Sequence, residues 1–567
     1  MDFREKIGEL LKKHGVQGEI TLEVPPQRDL GDFAFPCFAL AKQFKKSPGV
    51  IAVELANEVM RQKADNKAYP FLEKVVAAGP YLNFFVDKSK RVEGVLKDVF
   101  HHKNAYGSVP FGAGKTIVID YSAPNIGKPM GIHHLGSTCI GHALDNIHRA
   151  LGFKVVAVNH LGDWGTQFGV LIAAYKKWGD EKKLQADPVN YLLSLYVKYS
   201  AEEAKDEKLH EEAKHWFKKL EDKDPEATRL WTLFRTSNIE YFKRIYKRLE
   251  IRFDSYDGEA FYSDKMDAAL AKLKDKHLLE EDAGALIVRM DNENMPPFIA
   301  QKSDEASTYG LRDLAAIDYR FTNYKPSKIL YVVASQQALH FQQLFEVAGK
   351  LGYDKDCLMH VSFGMMKLPE GTMSTRQGKI IFLEDVLDRA VELVVKIIQE
   401  KNPQLQNKTK IAEQVGVGAV IFGYLMNDRV KDVEFDWDRM LDLEGDTGPY
   451  VQYTHARACS VMRKAKEKPT DDINAALLQT PAEYELVTLL EQFPDILISV
   501  LNEYKPHILS QYLLKFCHTF NEFYHQSPII TAENEELKRA RLLLCECSRV
   551  VLEKGLHLLG IAAPQEM

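Results

Sequence analysis

Histidine, lysine and asparagine side chains cluster in one polar segment of the sequence, residues 122–137. Asn125, Lys128, His133 and His134 supply amide, ammonium and imidazole donors for an anionic ligand. The segment follows a short β-branched run and precedes a helical pattern. We therefore predict that it lies at the carboxyl end of a parallel strand, where open α/β sheets bind ligands. The next helix then directs the positive end of its dipole at the bound ligand. The chemistry alone fits helix capping by the two histidines equally well.

Two other segments resemble phosphate loops less closely. Gly112-Ala113-Gly114-Lys115-Thr116 ends like a Walker A motif, but Val109 stands where the first glycine belongs and Lys115 precedes a strand. Residues 364–379 form a basic segment punctuated by glycines. Taken alone, that pattern is typical of an ordinary surface loop.

Tyr309 and Asp313 are candidates for an amino-acid pocket. They are four residues apart, so on a helix they lie side by side. A carboxylate is the natural forked partner of a guanidinium, and a tyrosine beside it adds a ring or hydroxyl contact. Such a pair on a helix is more often an ordinary surface feature. The β-branched run at 329–333 ends in polar residues that include Gln337, again at the ligand edge of a sheet.

Longer runs of sequence resemble the arginyl-tRNA synthetases, a class I family. Residues 122–137 are similar to the family's HIGH signature, S-P-N-x-x-K-x-x-H-x-G-H-L, with Gly131 in place of its first histidine and His133 in place of its glycine. The corresponding residues are Ala123, Pro124, Asn125, Lys128, His134 and Leu135. The similarity continues through residues 159–169, N-H-L-G-D-W-G-T-Q-F-G, a run that is also typical of a tight turn before a helix.

The resemblance also covers the candidate pocket and the second basic loop. Residues 309–313 resemble the family's Y-x-T-R-D helix, with Leu311 in place of threonine. Residues 373–376, M-S-T-R, resemble the form of the KMSKS loop that this family uses, in which Thr375 replaces the second lysine. The resemblance implies that Lys128 compensates by neutralising the α-phosphate of ATP in the transition state.

The resemblance implies roles for individual residues in four groups. The catalytic residues would be Lys128, His133, His134, Met373, Ser374 and Arg376. The arginine-binding residues would be Ala123, Pro124, Asn125, His134, His160, Asp163, Gln167, Tyr309, Asp313 and Gln337. The ATP-binding residues would be Lys128, Gly131, His134, Ser137, Met373 and Ser374. The tRNA-binding residues would be Asp32, Phe33, Tyr450, Tyr453 and Arg457.

Three regions outside the pocket indicate a nucleic-acid partner. Residues 435–457 interleave aromatic and basic side chains, which suits a single-stranded anticodon loop, although aromatic residues at helical spacing more often belong to a core. The final helices, with the basic run at 538–542, resemble the family's DALR anticodon-binding bundle. Residues 30–33 resemble the family's added N-terminal domain, which is implied to contact the tRNA elbow.

The pattern of apolar residues changes along the chain in a way that predicts domains. Residues 72–76 and 81–86 are strand-like among helical patterns. Runs at 116–121, 154–158, 285–288, 329–333 and 359–363 also predict strands, with helices at about 133–151 and after Gly165. Two such strands and a helix within about 45 residues indicate a βαβ unit and a parallel sheet. After about residue 402 the pattern is helical, with no clear strand.

These patterns and the resemblance together predict an α/β fold class. Residues 1–110 form an α+β N-terminal domain. Residues 111–402 form a Rossmann-type parallel-sheet catalytic domain with a helical insertion at about 176–285. Residues 403–567 form an all-α helical bundle that binds the anticodon.

Gross composition excludes some classes of protein. The 567 residues suggest about three domains, and 45% apolar with 27% charged residues is typical of a globular protein. No apolar run approaches the roughly 20 residues of a membrane span, and the first residues predict an amphipathic helix instead of a signal peptide. Seven dispersed cysteines without a CxxC pair argue against a disulfide framework or a zinc site and favour the cytoplasm. With a net charge of −6, any tRNA must be held by local basic surfaces.

The resemblance implies the function of an arginine–tRNA ligase. The resemblance implies activation of L-arginine by Mg-ATP, transfer to the 2′-hydroxyl of the terminal adenosine of tRNA(Arg), and a requirement for bound tRNA in the first step. No tightly bound cofactor or metal is expected. The protein is expected to be a monomer. The altered HIGH signature leaves open a tRNA-binding paralogue without catalytic activity, because one lost transition-state donor can cost about 10²–10³ in rate. Another nucleotidyl-transferring α/β enzyme is disfavoured by the C-terminal helices.

Overall fold

The structure is a computed structural model and describes most of the chain. The described residues are 3–25, 27, 30–66, 68–292, 294–303, 308–367, 381–434, 436, 440–442 and 445–567. Contacts within the chain divide it into two units. The first unit is Met1–Tyr106, Arg457–Phe493 and Phe516–Val551, and the second is Gly107–Ala456, Pro494–Lys515 and Leu552–Met567.

Strands and helices alternate through the middle of the chain, and helices occupy most of its last third. The described strands are β1 (Phe33–Pro36), β2 (Leu72–Ala78), β3 (Tyr81–Val86), β4 (Thr116–Asp120), β5 (Lys154–Val158), β6 (Glu280–Asp282), β7 (Ala285–Val288), β8 (Phe298–Gln301), β9 (Lys328–Tyr331), β10 (Leu358–His360), β11 (Met366–Lys367) and β12 (Val433–Glu434). The described helices up to residue 275 are α1 (Phe3–Lys13), α2 (Ala41–Phe44), α3 (Pro48–Asn66), α4 (Lys88–His102), α5 (His134–Ala150), α6 (Thr166–Trp178), α7 (Glu181–Ala186), α8 (Pro188–Glu203), α9 (Glu207–Glu221), α10 (Pro225–Arg248), α11 (Glu259–Tyr262) and α12 (Met266–Asp275). Those that follow are α13 (Tyr309–Tyr324), α14 (Ala338–Leu351), α15 (Leu383–Lys401), α16 (Lys408–Leu425), α17 (Gly448–Ala465), α18 (Pro481–Glu503), α19 (His507–Gln526) and α20 (Glu535–Leu558).

A parallel sheet organises the second unit. Its strand order is β10-β9-β4-β5, and each neighbouring pair is parallel, which confirms the predicted βαβ arrangement. Central strand β4 is almost wholly buried because both of its neighbours and the helices cover it. Because parallel strands end on the same side, the residues that follow β4, β5 and β9 meet at one edge of the sheet.

Two strand predictions need correction. Residues 285–288 form β7, but this strand pairs antiparallel in a separate sheet of order β6-β7-β8 instead of joining the parallel sheet. The expectation of no strand after about residue 402 is wrong, because Val433–Glu434 pairs with Met366–Lys367. A strand of two residues is too short to produce an alternating apolar pattern in the sequence.

Helix α5 crosses the sheet behind the polar segment. It buries Leu135, Ile140, Ala143 and Leu144 among its apolar positions. At Gly141 the helix approaches β4 so closely that a Cβ there would overlap the ring of Tyr121, the residue after the strand. The predicted helix at about 133–151 is confirmed as residues 134–150.

The first unit contains an antiparallel sheet and a set of helices. Its strand order is β1-β3-β2, with the predicted strands at 72–76 and 81–86 both confirmed. Helices α1 and α3 contribute Ile7, Leu10 and Ile51 to the apolar core beside this sheet. An α+β N-terminal region, a parallel α/β sheet and C-terminal helices together confirm the predicted fold class.

A buried ion pair joins two C-terminal helices of the first unit. Arg541 Nε donates to Glu483 Oε1 at 2.7 Å, and the side chain of Glu483 is fully buried. The other carboxylate oxygen, Oε2, accepts from the backbone N–H of Thr480, whose hydroxyl accepts from the N–H of Glu483 in return. This reciprocal capping box explains why helix α18 begins at Pro481.

All seven cysteines are free thiols. Among the described helices, none is long and apolar enough to cross a bilayer.

Substitution of two helical glycines tests the packing of α5 on β4. Gly141→Ala is expected to lower the free energy of unfolding by about 1–3 kcal/mol, because the buried Tyr121 ring packs 4.5 Å from Phe253 and leaves no room for the new methyl group. Gly349→Ala in α14 is the matched control, since its nearest neighbour, Lys355 Cβ, would lie at an ordinary 3.7 Å. Thermal unfolding followed by circular dichroism should show a lower midpoint for the first variant and an equal or higher one for the second. Equal midpoints for both would contradict this packing.

Candidate active site

The chain leaves β4 through a left-handed turn. Ser122 and Ala123 have φ values of 73° and 46°, a conformation that side chains other than glycine rarely adopt. The backbone N–H of Ser122 donates to Ser137 Oγ at 2.8 Å, and Thr138 Oγ1 donates to Ser122 Oγ at 2.9 Å. Ser137 in turn donates to the carbonyl of Val332 after β9, at 2.6 Å. Helix α5 therefore fixes the turn, and Ser137 is a buried part of that support.

The residues that follow this turn run beside those that follow β5. Gly162 donates its N–H to the carbonyl of Pro124 at 3.1 Å, and Ile126 donates to the carbonyl of Gly162 at 3.1 Å. A Cβ at position 162 would overlap the side-chain amide of Asn125, which is itself exposed. Glycine at 162 thus leaves room for the side chain of Asn125 at the sheet edge.

Lys128 lies near helix α8. Its ammonium is 5.3 Å from the centre of the Tyr196 ring, which comes from α8. Both side chains are half-buried. A cation over an aromatic face at this distance is attracted by the ring quadrupole, so Tyr196 restricts where the ammonium rests.

His133 and His134 lie at the start of α5 with ring centres 4.0 Å apart. Burial lowers the pKa of both, and for His134 burial with the neighbouring His133 lowers the pKa to about 3. His134 Nδ1 is 3.2 Å from the carbonyl of Gly131, so in the neutral ring this nitrogen carries the hydrogen and donates, leaving Nε2 as an acceptor. His133 occupies the N-cap position without a capping hydrogen bond from its side chain. Capping therefore does not account for His133.

The first loop pairs with the segment that follows the second loop. Ile132 donates its N–H to the carbonyl of Ile381 at 3.0 Å, and Leu383 donates to the carbonyl of Met130 at 2.8 Å. Gly131 and Phe382 form an antiparallel bridge between them. Met373, Ser374 and Arg376 lie outside the described residues. The described end of their loop is nevertheless attached directly to the segment that carries Lys128 and the histidines.

The beginning of the second loop is attached elsewhere in the second unit. Gly364 donates its N–H to the carbonyl of Arg429 at 2.8 Å, and Met365 donates to Asp432 Oδ1 at 2.8 Å. Arg429 also donates through Nε to the carbonyl of Tyr504 at 2.9 Å. Segments remote in the sequence therefore hold both described flanks of the loop.

Asp313 is the centre of a polar cluster on α13. His340 Nε2 donates to Asp313 Oδ2 at 2.8 Å, and His160 Nε2 lies 3.8 Å from Oδ1. Burial pushes the pKa of Asp313 upward, but the hydrogen bond from His340 and the charges of His160, His340 and Arg320 outweigh it, and the pKa lies below its usual range. Asp313 is therefore an ionised carboxylate with lone pairs left for a ligand.

Tyr309 borders this cluster, and Gln337 precedes the helix that carries His340. Tyr309 is 63% exposed, and its ring centre is 4.8 Å from that of His340. Gln337 is exposed at the start of α14, three residues before His340. The predicted pair of Tyr309 and Asp313 does lie on one helix, and its aromatic ring is open to solvent.

Two other residues expected to bind arginine have partners of their own. The carboxylate of Asp163 is fully buried, where Oδ2 accepts from Arg235 Nε at 2.7 Å and Oδ1 accepts from the N–H of Ala260 at 2.8 Å. Gln167 Nε2 lies at 3.5 Å from the carbonyl of Gly162. Asp163 thus joins the loop after β5 to α10 and α11, and its carboxylate does not face an open site.

Glu259 is a further residue of the cluster, one that the sequence patterns did not identify. Arg312 Nη1 donates to Glu259 Oε2 at 3.1 Å. Burial raises the pKa of Glu259 to about 7, against the opposing effect of Arg312 and with further help from the negative charges of Asp313 and Asp163. Glycine at 258 was the available hint, because a Cβ there would overlap the Asp163 carboxylate and force Glu259 away.

The residues expected to bind tRNA lie in two kinds of environment. Asp32 pairs with Arg91 at 2.5 Å and accepts from the N–H of Val86, and Phe33 is buried in the core of the first unit. Tyr453 on α17 is 38% exposed. Arg457, also on α17, lies 5.2 Å from the centre of the Tyr524 ring. The side chain of Phe33 is therefore not presented to a ligand, whereas on α17 Tyr453 is exposed and Arg457 is half-buried.

Comparisons with known proteins cover the whole chain. Three family models match successive regions: the arginyl tRNA synthetase N terminal domain at residues 1–86, the catalytic domain of tRNA synthetases class I (R) at 95–437, and the DALR anticodon binding domain at 451–567. The chain is 46% identical to the arginine–tRNA ligase of Clostridioides difficile strain 630, over 100% of this chain and 98% of that protein. It is 45% identical to the arginine–tRNA ligase of Alkaliphilus metalliredigens strain QYMF, over 100% of both.

Solved structures give the same result. The Thermus thermophilus arginyl-tRNA synthetase superposes with a TM-score of 0.80 at 25% identity, over 100% of this chain and 99% of that chain. The Plasmodium falciparum arginyl-tRNA synthetase, at 23% identity and a TM-score of 0.77 over 100% and 99%, shares the fold.

Glu259 makes ligand binding at the cluster depend on pH. Its carboxyl group is neutral below about pH 7 and ionised above it, so a cationic ligand such as L-arginine should bind more tightly as pH rises from 6 to 8. The dissociation constant, measured by calorimetry, should fall by up to about tenfold per pH unit on the acidic side. Glu259→Gln should weaken binding and remove most of this dependence. The exposed Glu281→Gln in β6 is the control and should retain it, and a Glu259→Gln profile as steep as that of the unmodified protein would exclude the assignment.

Proposed function

The chain belongs to the class I arginyl-tRNA synthetase family and is an ATP-dependent arginine–tRNA ligase, and we propose from this premise how its residues share the reaction. The observation that carries the assignment of arginine is the ionised Asp313, held by His340 beside Glu259. A guanidinium binds best to carboxylates that accept two parallel hydrogen bonds. Such a site lies in the same unit as the loop that carries Lys128.

The proposed arginine site has a carboxylate end and a backbone end. Asp313 and Glu259 receive the guanidinium, with the exposed ring of Tyr309 and the amide of Gln337 at its border. At the other end, Asn125 and His134 receive the α-amino and α-carboxylate groups. Residues 123–124 line the wall between the two ends. His160 orients Asp313, whereas Asp163 and Gln167 support the loop without contacting the substrate.

The proposed nucleotide site is formed by both loops. The α-carboxylate oxygen of arginine attacks the α-phosphorus of ATP. A P–O bond forms between these two atoms, which gives arginyl-adenylate, and the bond from the α-phosphorus to pyrophosphate breaks. Lys128, with Arg376 of the second loop, neutralises the charge that develops on the phosphate oxygens, and the hydroxyl of Ser374 donates a hydrogen bond to them. His133 and His134, at the start of α5, are proposed to line the nucleotide together with Gly131 and Met373. Ser137 acts indirectly, by supporting the turn at 122–123.

The second step needs no nucleophile from the protein. The 2′-hydroxyl of the terminal adenosine attacks the arginyl carbonyl, and AMP leaves. Positioning and charge stabilisation then supply the rate enhancement. Mg²⁺ would enter with ATP as part of the substrate, because this ion is usually held by phosphates and waters.

The tRNA is proposed to contact several regions of the chain. Tyr450, Tyr453 and Arg457 lie on successive turns of α17 and suit the unpaired bases and phosphates of an anticodon loop. Of the N-terminal pair, Asp32 and its surroundings, and not the buried Phe33, would face the tRNA elbow. We propose domain limits of 1–110, 111–402 and 403–567, and a monomer in the cytoplasm, where its free thiols remain reduced.

A non-catalytic, tRNA-binding paralogue is the alternative raised by Gly131 in the HIGH segment. No contact in the described site favours it, since Lys128, His134 and Asp313 remain together in one unit. The relatives that match the full chain are themselves named arginine–tRNA ligases.

Arginine-dependent ATP–pyrophosphate exchange, measured with and without tRNA(Arg), tests the proposal. The unmodified protein should exchange with tRNA present, and Lys128→Met should lower the rate by about 10²–10³ because the α-phosphate loses its neutralising cation. Lys115→Met is the matched control: this lysine belongs to the segment that resembles Walker A, where its ammonium lies 5.8 Å from the Phe111 ring, and its loss should leave the rate unchanged. Absence of exchange under both conditions, with tRNA binding retained, would support the non-catalytic alternative.

A further inference from the structure

Arg320 is a charged side chain buried beneath the cluster around Asp313. It lies on α13 two turns after Asp313, on the same face of the helix, and is 1% exposed. Its Nη2 donates to Asp120 Oδ2 at 2.7 Å, at the carboxyl end of β4. Burying such a pair generally costs as much free energy as it returns, so the contribution of the pair to stability does not explain its presence.

The hydrogen bonding of Arg320 strengthens this conclusion. Its Nε and Nη1 have no hydrogen-bond partner in the part of the chain that the structure describes. A buried donor without a partner destabilises a protein. The residue must therefore be explained by the groups that it does contact.

Arg320 contacts His160 as well as Asp120. Nη2 of the guanidinium lies 3.4 Å from His160 Nδ1. A guanidinium can only donate, so Nδ1 must offer its lone pair, and the ring hydrogen is on Nε2. The ring of His160 also stacks on Tyr262, with centres 5.4 Å apart and planes 15° apart. These two contacts fix both the tautomer and the plane of His160.

The fixed histidine faces the carboxylate that is proposed to bind arginine. Its Nε2 lies 3.8 Å from Asp313 Oδ1, while His340 donates to Oδ2 at 2.8 Å. Each carboxylate oxygen thus has an imidazole on one side, which leaves its other lone pairs directed at the ligand. If His160 adopted the other tautomer, it would present a lone pair to the carboxylate and repel it.

The charges of the cluster also require Arg320. Around the site the carboxylates of Asp120, Asp313 and, above about pH 7, Glu259 oppose the guanidiniums of Arg312 and Arg320. Without Arg320, the buried Asp120 would have no ionic partner among these groups.

We propose that Arg320 is a positioning residue of the arginine pocket: paired with Asp120, it holds His160 so that the Nε2–H of His160 orients Asp313 for the substrate guanidinium. The proposal rests on the proposed function of this site. It predicts a specific loss of arginine affinity, because the proposed nucleotide site is formed by other residues.

Arginine-dependent exchange by Arg320→Met and Arg320→Lys tests the role. Both variants are expected to raise the KM for L-arginine by at least about tenfold, because lysine keeps the charge but lacks the planar fork that reaches both Asp120 and His160. The kcat at saturating arginine and the KM for ATP should stay within about threefold. Arg248→Met is the matched control, since it breaks another arginine pair of the same unit, with Glu413 at 2.7 Å, and should leave the KM for arginine unchanged.

A double-mutant cycle with His160→Ala separates positioning from a general structural role. If Arg320 acts through His160, then Arg320→Lys in the His160→Ala background should raise the KM for arginine by less than about twofold further. Independent, multiplicative losses, or a parallel loss of kcat and ATP affinity, would overturn the proposal. If the Met variant does not fold, the Lys variant completes the same cycle. Failure of the unmodified protein to exchange would instead contradict the proposed function.

Discussion

The chain leaves strand β4 through two consecutive left-handed residues, Ser122 and Ala123, and the position of each loop at the sheet edge depends on this turn. Such residues are strained by about 1–3 kcal/mol each, and they persist because hydroxyl groups from α5 hold the backbone in place. The turn directs the following residues across Gly162 and then along residues 381–383. Strain at one point thus joins three segments that are far apart in the sequence. It also explains why small, hydroxyl-bearing and glycine residues surround the site.

The polar cluster next to that edge contains two carboxylates whose pKa values are shifted in opposite directions. Asp313 stays ionised because imidazoles and a guanidinium surround it, whereas burial and neighbouring carboxylates raise the pKa of Glu259 to about 7. An incoming cation stabilises the ionised form of both groups. Recognition of arginine is therefore coupled to a change of protonation in the pocket as well as to hydrogen-bond geometry. The neutral state of His133 and His134 keeps the α5 end of the site free of competing positive charge.

Local patterns in the sequence predicted the parallel sheet, the helix at 134–150 and the placement of Tyr309 and Asp313 on one helix, because each depends on residues close together in the chain. The antiparallel sheet around β7, the strand β12 and the bridge between Gly131 and Phe382 depend on contacts between remote segments, which leave no periodic signal. The same reason hides Glu259 and the partner of Asp163. The resemblance to the family implied that Asp163 binds arginine. Resemblance alone does not distinguish a buried structural carboxylate from one that is free to bind a ligand. Met373, Ser374 and Arg376 remain predictions, since they lie outside the described residues.

The central claim is that ionised carboxylates around Asp313 recognise a guanidinium by its charge. Calorimetric comparison of L-arginine with L-citrulline, its neutral urea isostere, tests this claim at pH 8, where Glu259 is ionised. The site predicts that citrulline binds at least about 10²-fold more weakly, because the urea oxygen would face a buried carboxylate without a hydrogen to donate. Dissociation constants for the two ligands within about threefold of each other would contradict recognition by charge.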